Sequence, residues 1–187
     1  MWELKEPEPV KLFCGILAAD KQYLQQAKES LQRELGNTDL ESDIWDFDKT
    51  EYYKDETGDN ILRQFVSFEK PIDPGRLAEV KHKTNEIEKK LASLGGDLPR
   101  PVNLDPGVIE TSKLVLATTK NYSHRVYIGE RMYAEVTLTF HKGGWKPFDY
   151  TYPDYARQRY HKFFTDARNR LKEQLHSSGG SPNVPGK

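Results

Sequence analysis

At 187 residues with 36% apolar side chains, the chain is long enough to bury one core, and no run approaches the roughly 18 apolar residues of a membrane-spanning helix. Its 28 basic and 29 acidic residues leave a formal charge of -1, which excludes a global attraction to nucleic acid or anionic lipid but not a local basic patch. A single cysteine, Cys14, excludes an intramolecular disulfide and a thiolate metal cluster.

The opening stretch, MWELKEPEPVKL, has neither the basic nor the apolar region of a secretory signal, so a cytoplasmic protein with no membrane partner is expected. The apolar run 10–20 reads as a strand ending at Asp20, a cap for the next helix. In that helix Leu24, Ala27, Leu31 and Leu35 recur at helical spacing, and Gly36 closes it. Residues 41–53 read as a strand with Ile44, Trp45 and Phe47, and Glu51, Tyr52 and Tyr53 are placed on a rim or lid. A further strand sets Phe65 and Ser67 on one face, Val66 and Phe68 on the other.

Asp73-Pro74 starts a helix over about residues 74–94, with Leu77, Val80, Ile87, Leu91 and Leu94 as its apolar stripe. Lys81, Thr84, Asn85 and Glu88 form the adjacent strip, read as a solvated flank or, alternatively, as the polar edge of a pocket. Asn103 and Asp105 precede Pro106-Gly107, read as a turn at a strand end. The order β-α-β-β-α-β fits an α+β, ferredoxin-like split βαβ sheet with its helices on one face, extended by a hairpin and a final helix. That helix buries Tyr160, Phe163, Phe164, Ala167 and Leu171. Residues 1–176 read as one domain and 177–187 as a Gly/Pro/Ser tail.

In the hairpin, a three-residue loop at Gly129-Glu130-Arg131 opposes Tyr127 to Tyr133, Val126 to Ala134 and Arg125 to Glu135. Val126, Ile128, Ala134, Val136, Leu138 and Phe140 then face the core. Ser123, Arg125, Tyr127, Tyr133, Glu135, Thr137 and Thr139 take the other face. Arg125–Glu135 reads as a cross-strand pair, and alternation sends His124 to the side opposite Arg125.

The phosphate-cradling G-x-x-x-x-G-K-[ST], the dinucleotide G-x-G-x-x-G, H-E-x-x-H and G-x-S-x-G are all absent. His82-Lys83-Thr84 copies the letters of the two-histidine phosphoesterases but falls inside a predicted helix. What remains is a constellation. Lys120, His124 and Arg125 offer cations or proton carriers, and Asp105, Glu135 and Asp154 offer carboxylates, with Tyr152 beside Asp154 in a rigid aromatic turn. Such a set suits an anion, with or without a divalent metal.

The segments EPVKLFCGIL, FVSFEKPIDP, KHKTNEIE, VNLDPG, SHRVYI, YAEVTL and TYPDY, in this order, resemble a bacterial and archaeal family, the domain of unknown function 4416, from about Pro7 to Leu175. The resemblance implies site positions at Thr84, Asn85, Asn103, Asp105, Ser123, His124, Arg125, Glu135, Tyr152 and Asp154. Some members of that family are labelled GTP-binding, whereas this sequence has neither a P-loop nor an N-K-x-D motif.

Two functions are consistent with these residues. The first is a pocket for a phosphorylated or nucleotide-like small molecule, with His124, Asp105 and Arg125 as catalytic candidates. Lys120, Glu135, Asn103, Thr84, Asn85, Tyr152 and Asp154 would then bind the ligand. The second is a non-enzymatic RNA- or protein-binding module using exposed tyrosines such as Tyr127 and Tyr133. The sequence specifies no cofactor and no metal.

Overall fold

A computed structural model describes residues 4–47, 61–94 and 98–178. Among these residues it contains nine strands in one antiparallel sheet and three helices, a mixed α+β fold. The strands are β1 (Lys11–Ala18), β2 (Thr38–Glu41), β3 (Trp45–Asp46), β4 (Leu62–Phe68), β5 (Val102–Ile109), β6 (Lys113–Thr118), β7 (Val126–Gly129), β8 (Met132–His141) and β9 (Gly144–Pro147). The helices are α1 (Lys21–Leu35), α2 (Leu77–Ser93) and α3 (Gln158–Ser178). Sheet order is β2-β4-β1-β5-β6-β8-β7, with β3 beside β4 and β9 beside β8.

The local signals act as expected at the helix starts. Asp20 accepts from Tyr23 N at 2.8 Å, and Asp73 accepts from Gly75 N at 2.7 Å ahead of Pro74. Gly36 ends α1 at φ 102°, which a side chain would strain. Glu51, Tyr52, Tyr53 and most of the tail lie outside the described residues.

Each sheet face has its own core. Leu12, Cys14, Ile16, Val66, Phe68 and Leu104 pack under α1 and α2, while Phe13, Phe65, Ile109, Leu114, Leu116 and Leu138 pack under α3 with Trp145, Tyr155 and Phe164. α1 and α2 thus share one face, as expected of the core, and the final helix α3 covers the other. Phe65 is ringed by Trp45, Tyr155, Tyr160, Phe163 and Phe164 at centroid distances of 5.0–6.4 Å, which locks α3 onto the sheet.

Pro106-Gly107 is the largest departure from expectation. It is no turn but the middle of β5, with Pro106 opposite Cys14 and Gly107 opposite Phe13. A Cβ on Gly107 would lie 2.5 Å from Val115 O and 2.7 Å from Phe13 Cε1, so glycine lets three strands close there. The α2 strip is not solvated either: Lys81, Thr84 and Glu88 are buried, while Leu94, assigned to the stripe, is exposed.

The hairpin keeps two of its expected pairs, Val126–Ala134 and Tyr127–Tyr133, but turns differently. Gly129 pairs with Met132, leaving Ile128 bulged, and the turn residues Glu130 and Arg131 have φ 51° and 63°. The expected faces fail for Val126, which is exposed, and for Glu135 and Thr137, which are buried. A second bulge explains part of this: Leu138 opposes Leu114 but Val136 opposes Val115, so Thr137 is extra and β8 changes faces there. The loop before α3 covers the rest, with Tyr150 Oη donating to Val136 O at 3.1 Å and Thr151 Oγ1 to Thr137 O at 2.6 Å.

Gly107→Ala is expected to lower stability by about 1–3 kcal/mol in urea denaturation, through forced displacement of Phe13 and β6. Gly144→Ala, whose added Cβ meets nothing within 4 Å, should change it by less than about 0.5 kcal/mol.

Candidate functional site

The site begins where β5 and β6 part. Alternation along β5 turns the peptides of residues 104, 106, 108 and 110 towards β6, as Glu110 N donating to Lys113 O at 2.9 Å records. The β5–β6 register runs from Ile109–Leu114 to Gly107–Leu116 and stops, because the next residue, Pro106, has no N–H to donate. Beyond it α2 takes over from the strand. Leu104 N donates to Glu88 Oε1 at 2.8 Å, and Leu104 O accepts from Lys81 Nζ at 2.8 Å. The buried Lys81 and Glu88 thus complete the edge of β5 in place of β6.

The opening between the strands is a cavity of about 230 Å³. Among the described residues, five cations, Arg63, Lys81, Arg100, Lys120 and Arg157, share its lining with three carboxylates, Asp105, Glu135 and Asp154. Asn85, Asn103, Thr118, Thr119 and Tyr152 add neutral polar groups.

One wall is a chain of charges running from α2 across the sheet. Glu88 Oε2 accepts from Arg100 Nη2 at 2.7 Å, and the same Nη2 donates to Asn103 Oδ1. Asn103 Nδ2 donates to Asp105 Oδ1 at 2.9 Å, and Arg63 Nη1 donates to Asp105 Oδ2 at 3.2 Å. Arg63 Nη2 closes the chain on Asp154. Arg63 itself is buried, with its guanidinium 5.2–5.4 Å from the ring centres of Phe47, Phe65 and Tyr155. Burial works to lower its pKa, but Asp154 and Asp105 outweigh that and hold it above the ordinary arginine value. Gly15 makes room for this arrangement, since a Cβ there would lie 2.7 Å from Tyr155 Oη and 2.9 Å from Arg63 Nη1. Burial raises the Tyr155 phenol well above its usual pKa, so it stays protonated.

The second cluster stands behind Glu135. Arg125 Nε donates to Glu135 Oε2 at 2.7 Å, and Thr137 Oγ1 lies 3.3 Å from Oε1. His124 Nε2 is 3.3 Å from the same Oε2, out of line for a hydrogen bond, with its ring stacked on Tyr150 at 4.3 Å. His124 and Arg125 therefore converge on one carboxylate instead of pointing apart. Tyr122–Arg125 is a turn, with Arg125 N donating to Tyr122 O at 3.0 Å, so strand alternation does not apply. Nor is Arg125–Glu135 a surface pair, since both side chains are almost fully buried. Arg125 also donates to Lys120 O at 3.0 Å and Tyr152 Oη at 2.7 Å, tying two parts of the cavity lining together.

Of the residues expected in a site, Asp105, Lys120, Glu135, Asn103, Asn85, Tyr152 and Asp154 line the cavity. Thr84 is buried and does not line it, donating to Lys81 O at 3.0 Å, and His124 and Arg125 contact Glu135 without lining it. Sequence reasoning missed Arg63, Arg100, Thr118, Thr119 and Arg157 as site residues. Arg63 carried a readable signal: two residues before Phe65, it falls on a core-facing row of its strand. Among the described residues no three His, Cys, Asp or Glu side chains gather closely enough to hold a metal ion. No described helix is long and apolar enough to cross a membrane.

The fold and cleft define an α+β protein with a divided antiparallel sheet and a charged cavity at the division. A family described as a domain of unknown function (DUF4416) matches residues 8–171, and the chain belongs to that family. No curated protein and no solved structure matches it.

Asp154→Ala should cost about 3 kcal/mol in urea denaturation, the low end for breaking a buried pair because Arg63 keeps Asp105. His161, whose Nε2 contacts Tyr155 O at 3.2 Å, gives a pH test: burial lowers its pKa below the usual 6.5. Just below pH 6.5 the unfolded chain binds more protons at this residue than the folded one, so stability falls as pH drops. His161→Gln should flatten that part of the curve of stability against pH.

Proposed function

We propose that the protein binds a small phosphorylated or otherwise anionic molecule in the cleft between β5 and β6. The observation that carries this reading is the charge of the described lining, where five cations stand against three carboxylates. Lys120 and Arg157 line the cavity together with Arg63, Lys81 and Arg100, and in this reading they add to the charge that faces the anion. Asn85, Thr118 and Thr119 supply neutral hydrogen bonds. A cavity of about 230 Å³ is smaller than the roughly 300 Å³ at which ordinary ligand sites begin, which supports a compact metabolite over a whole nucleoside triphosphate. If the site performs chemistry, Asp105 is the candidate to move a proton, being both ionisable and partly open to the cleft.

The order β2-β4-β1-β5, with α1 and α2 as crossovers on one face, supports reading the first half as a ferredoxin-like split βαβ unit. The lone, buried Cys14 supports a cytoplasmic setting. Exposed Tyr122 and Tyr127 favour a second reading, a module that binds RNA or a protein through its hairpin, against which the near-neutral charge weighs for RNA.

A thermal-shift panel of inorganic phosphate, phosphate esters, nucleotides and carboxylates tests the first reading. A ligand at about 100 times its Kd adds about 2.7 kcal/mol, or roughly 5–10 °C for a chain of this size. Lys120→Glu should abolish the shift. A flat response to every small anion, with a shift on adding an oligonucleotide, would transfer the function to the hairpin.

A further inference from the structure

We infer that the ligand of the cleft carries hydroxyl groups beside its anionic group, as a polyol or sugar phosphate does. This deepens the anion-binding reading and rests on it.

Asp105 is the residue from which the inference starts. It is the one residue of β5 that is not buried, and its side chain is 30% exposed although it sits mid-sheet between buried Leu104 and Pro106. The cleft it lines is its route to solvent. A carboxylate has about four acceptor sites, and Asp105 uses one on Asn103 Nδ2 and one on Arg63 Nη1. The remaining acceptor capacity opens on the cavity and calls for a donor on the ligand.

That donor is a hydroxyl rather than an ammonium group. Arg63 already meets the carboxylate of Asp105 at 3.2 Å while also pairing with Asp154, and the described lining holds Lys81, Arg100, Lys120 and Arg157 besides. A neutral donor gains the hydrogen bond without bringing a further cation among these side chains. Asn103 fixes the geometry. Its carbonyl oxygen is taken by Arg100 and its amide by Asp105, so the side chain has one orientation and acts as a positioning residue for the carboxylate. Asn85, Thr118 and Thr119 are groups that both give and accept hydrogen bonds, and hydroxyls match them in the same way.

The test uses titration calorimetry with three probes on the full chain: inorganic phosphate, propyl phosphate and glycerol phosphate. The two esters share a carbon count and a phosphate, and differ in two hydroxyls. Glycerol phosphate is expected to bind about tenfold more tightly than propyl phosphate. Asp105→Asn should reduce that preference, read as the ratio of the two ester affinities, to below about threefold. The wild-type comparison decides the matter even where the variant folds poorly. Equal affinities for the two esters would overturn the hydroxyl inference while leaving the anion site standing. Failure of all three probes to bind would remove both.

Discussion

The cleft exists because one backbone donor is missing. A ladder of β5 against β6 would close the sheet completely, and it does so for three residue pairs from Ile109 to Gly107. Pro106 then has no N–H at the position where the alternation demands one, and the strands diverge. The opening sits in the middle of the sheet order, flanked by β1 on one side and β8 on the other, so rigid paired strands hold both of its walls.

A divided sheet leaves backbone groups to satisfy, and the manner of satisfying them supplies much of the site's charge. Leu104 takes its bonds from Lys81 and Glu88, and Glu88 then fixes Arg100, which fixes Asn103 and through it Asp105. Each member is chosen by the bonding need of the one before. The same economy holds at the other wall, where Arg125 neutralises buried Glu135 and with its remaining nitrogens binds Lys120 O and Tyr152 Oη.

The sequence was legible where a residue acts through its own backbone conformation or its own periodicity. The caps at Asp20 and Asp73, the stripes of α1 and α3, and the two-faced strand at Phe65 and Val66 are of that kind. It was misleading where a local signal was overruled from a distance. Pro106-Gly107 has the chemistry of a turn, yet pairing with β1 holds it extended while Phe13 fills the space over Gly107. The polar strip of α2 looks like a solvated flank, yet it is buried because β6 is absent from the edge it faces. His124 follows strand alternation only if the chain is extended there, and the turn at Tyr122–Arg125 removes that premise. Most of the candidate residues were found by type and position, but not their grouping into a cavity wall and a cluster behind it. The grouping depends on which strands separate.

Arg63 is the part of this arrangement that stability alone does not explain. A guanidinium sealed among Phe47, Phe65 and Tyr155 bears a desolvation cost of several kcal/mol, and well-packed apolar residues in place of such buried ion pairs are often neutral or stabilising. The chain nonetheless gives it two carboxylates from distant segments and a glycine, Gly15, to clear its path. Asp154 is nearly enclosed, whereas Asp105 stays open to the cavity, so the ion pair is closed on one side and available on the other. A purely structural triad would gain by burying Asp105 as well. Leaving it partly open keeps a charged, oriented acceptor on a cleft lined by both signs of charge, and this is the asymmetry that the proposed ligand, with an anionic end and a hydrogen-bonding end, would use.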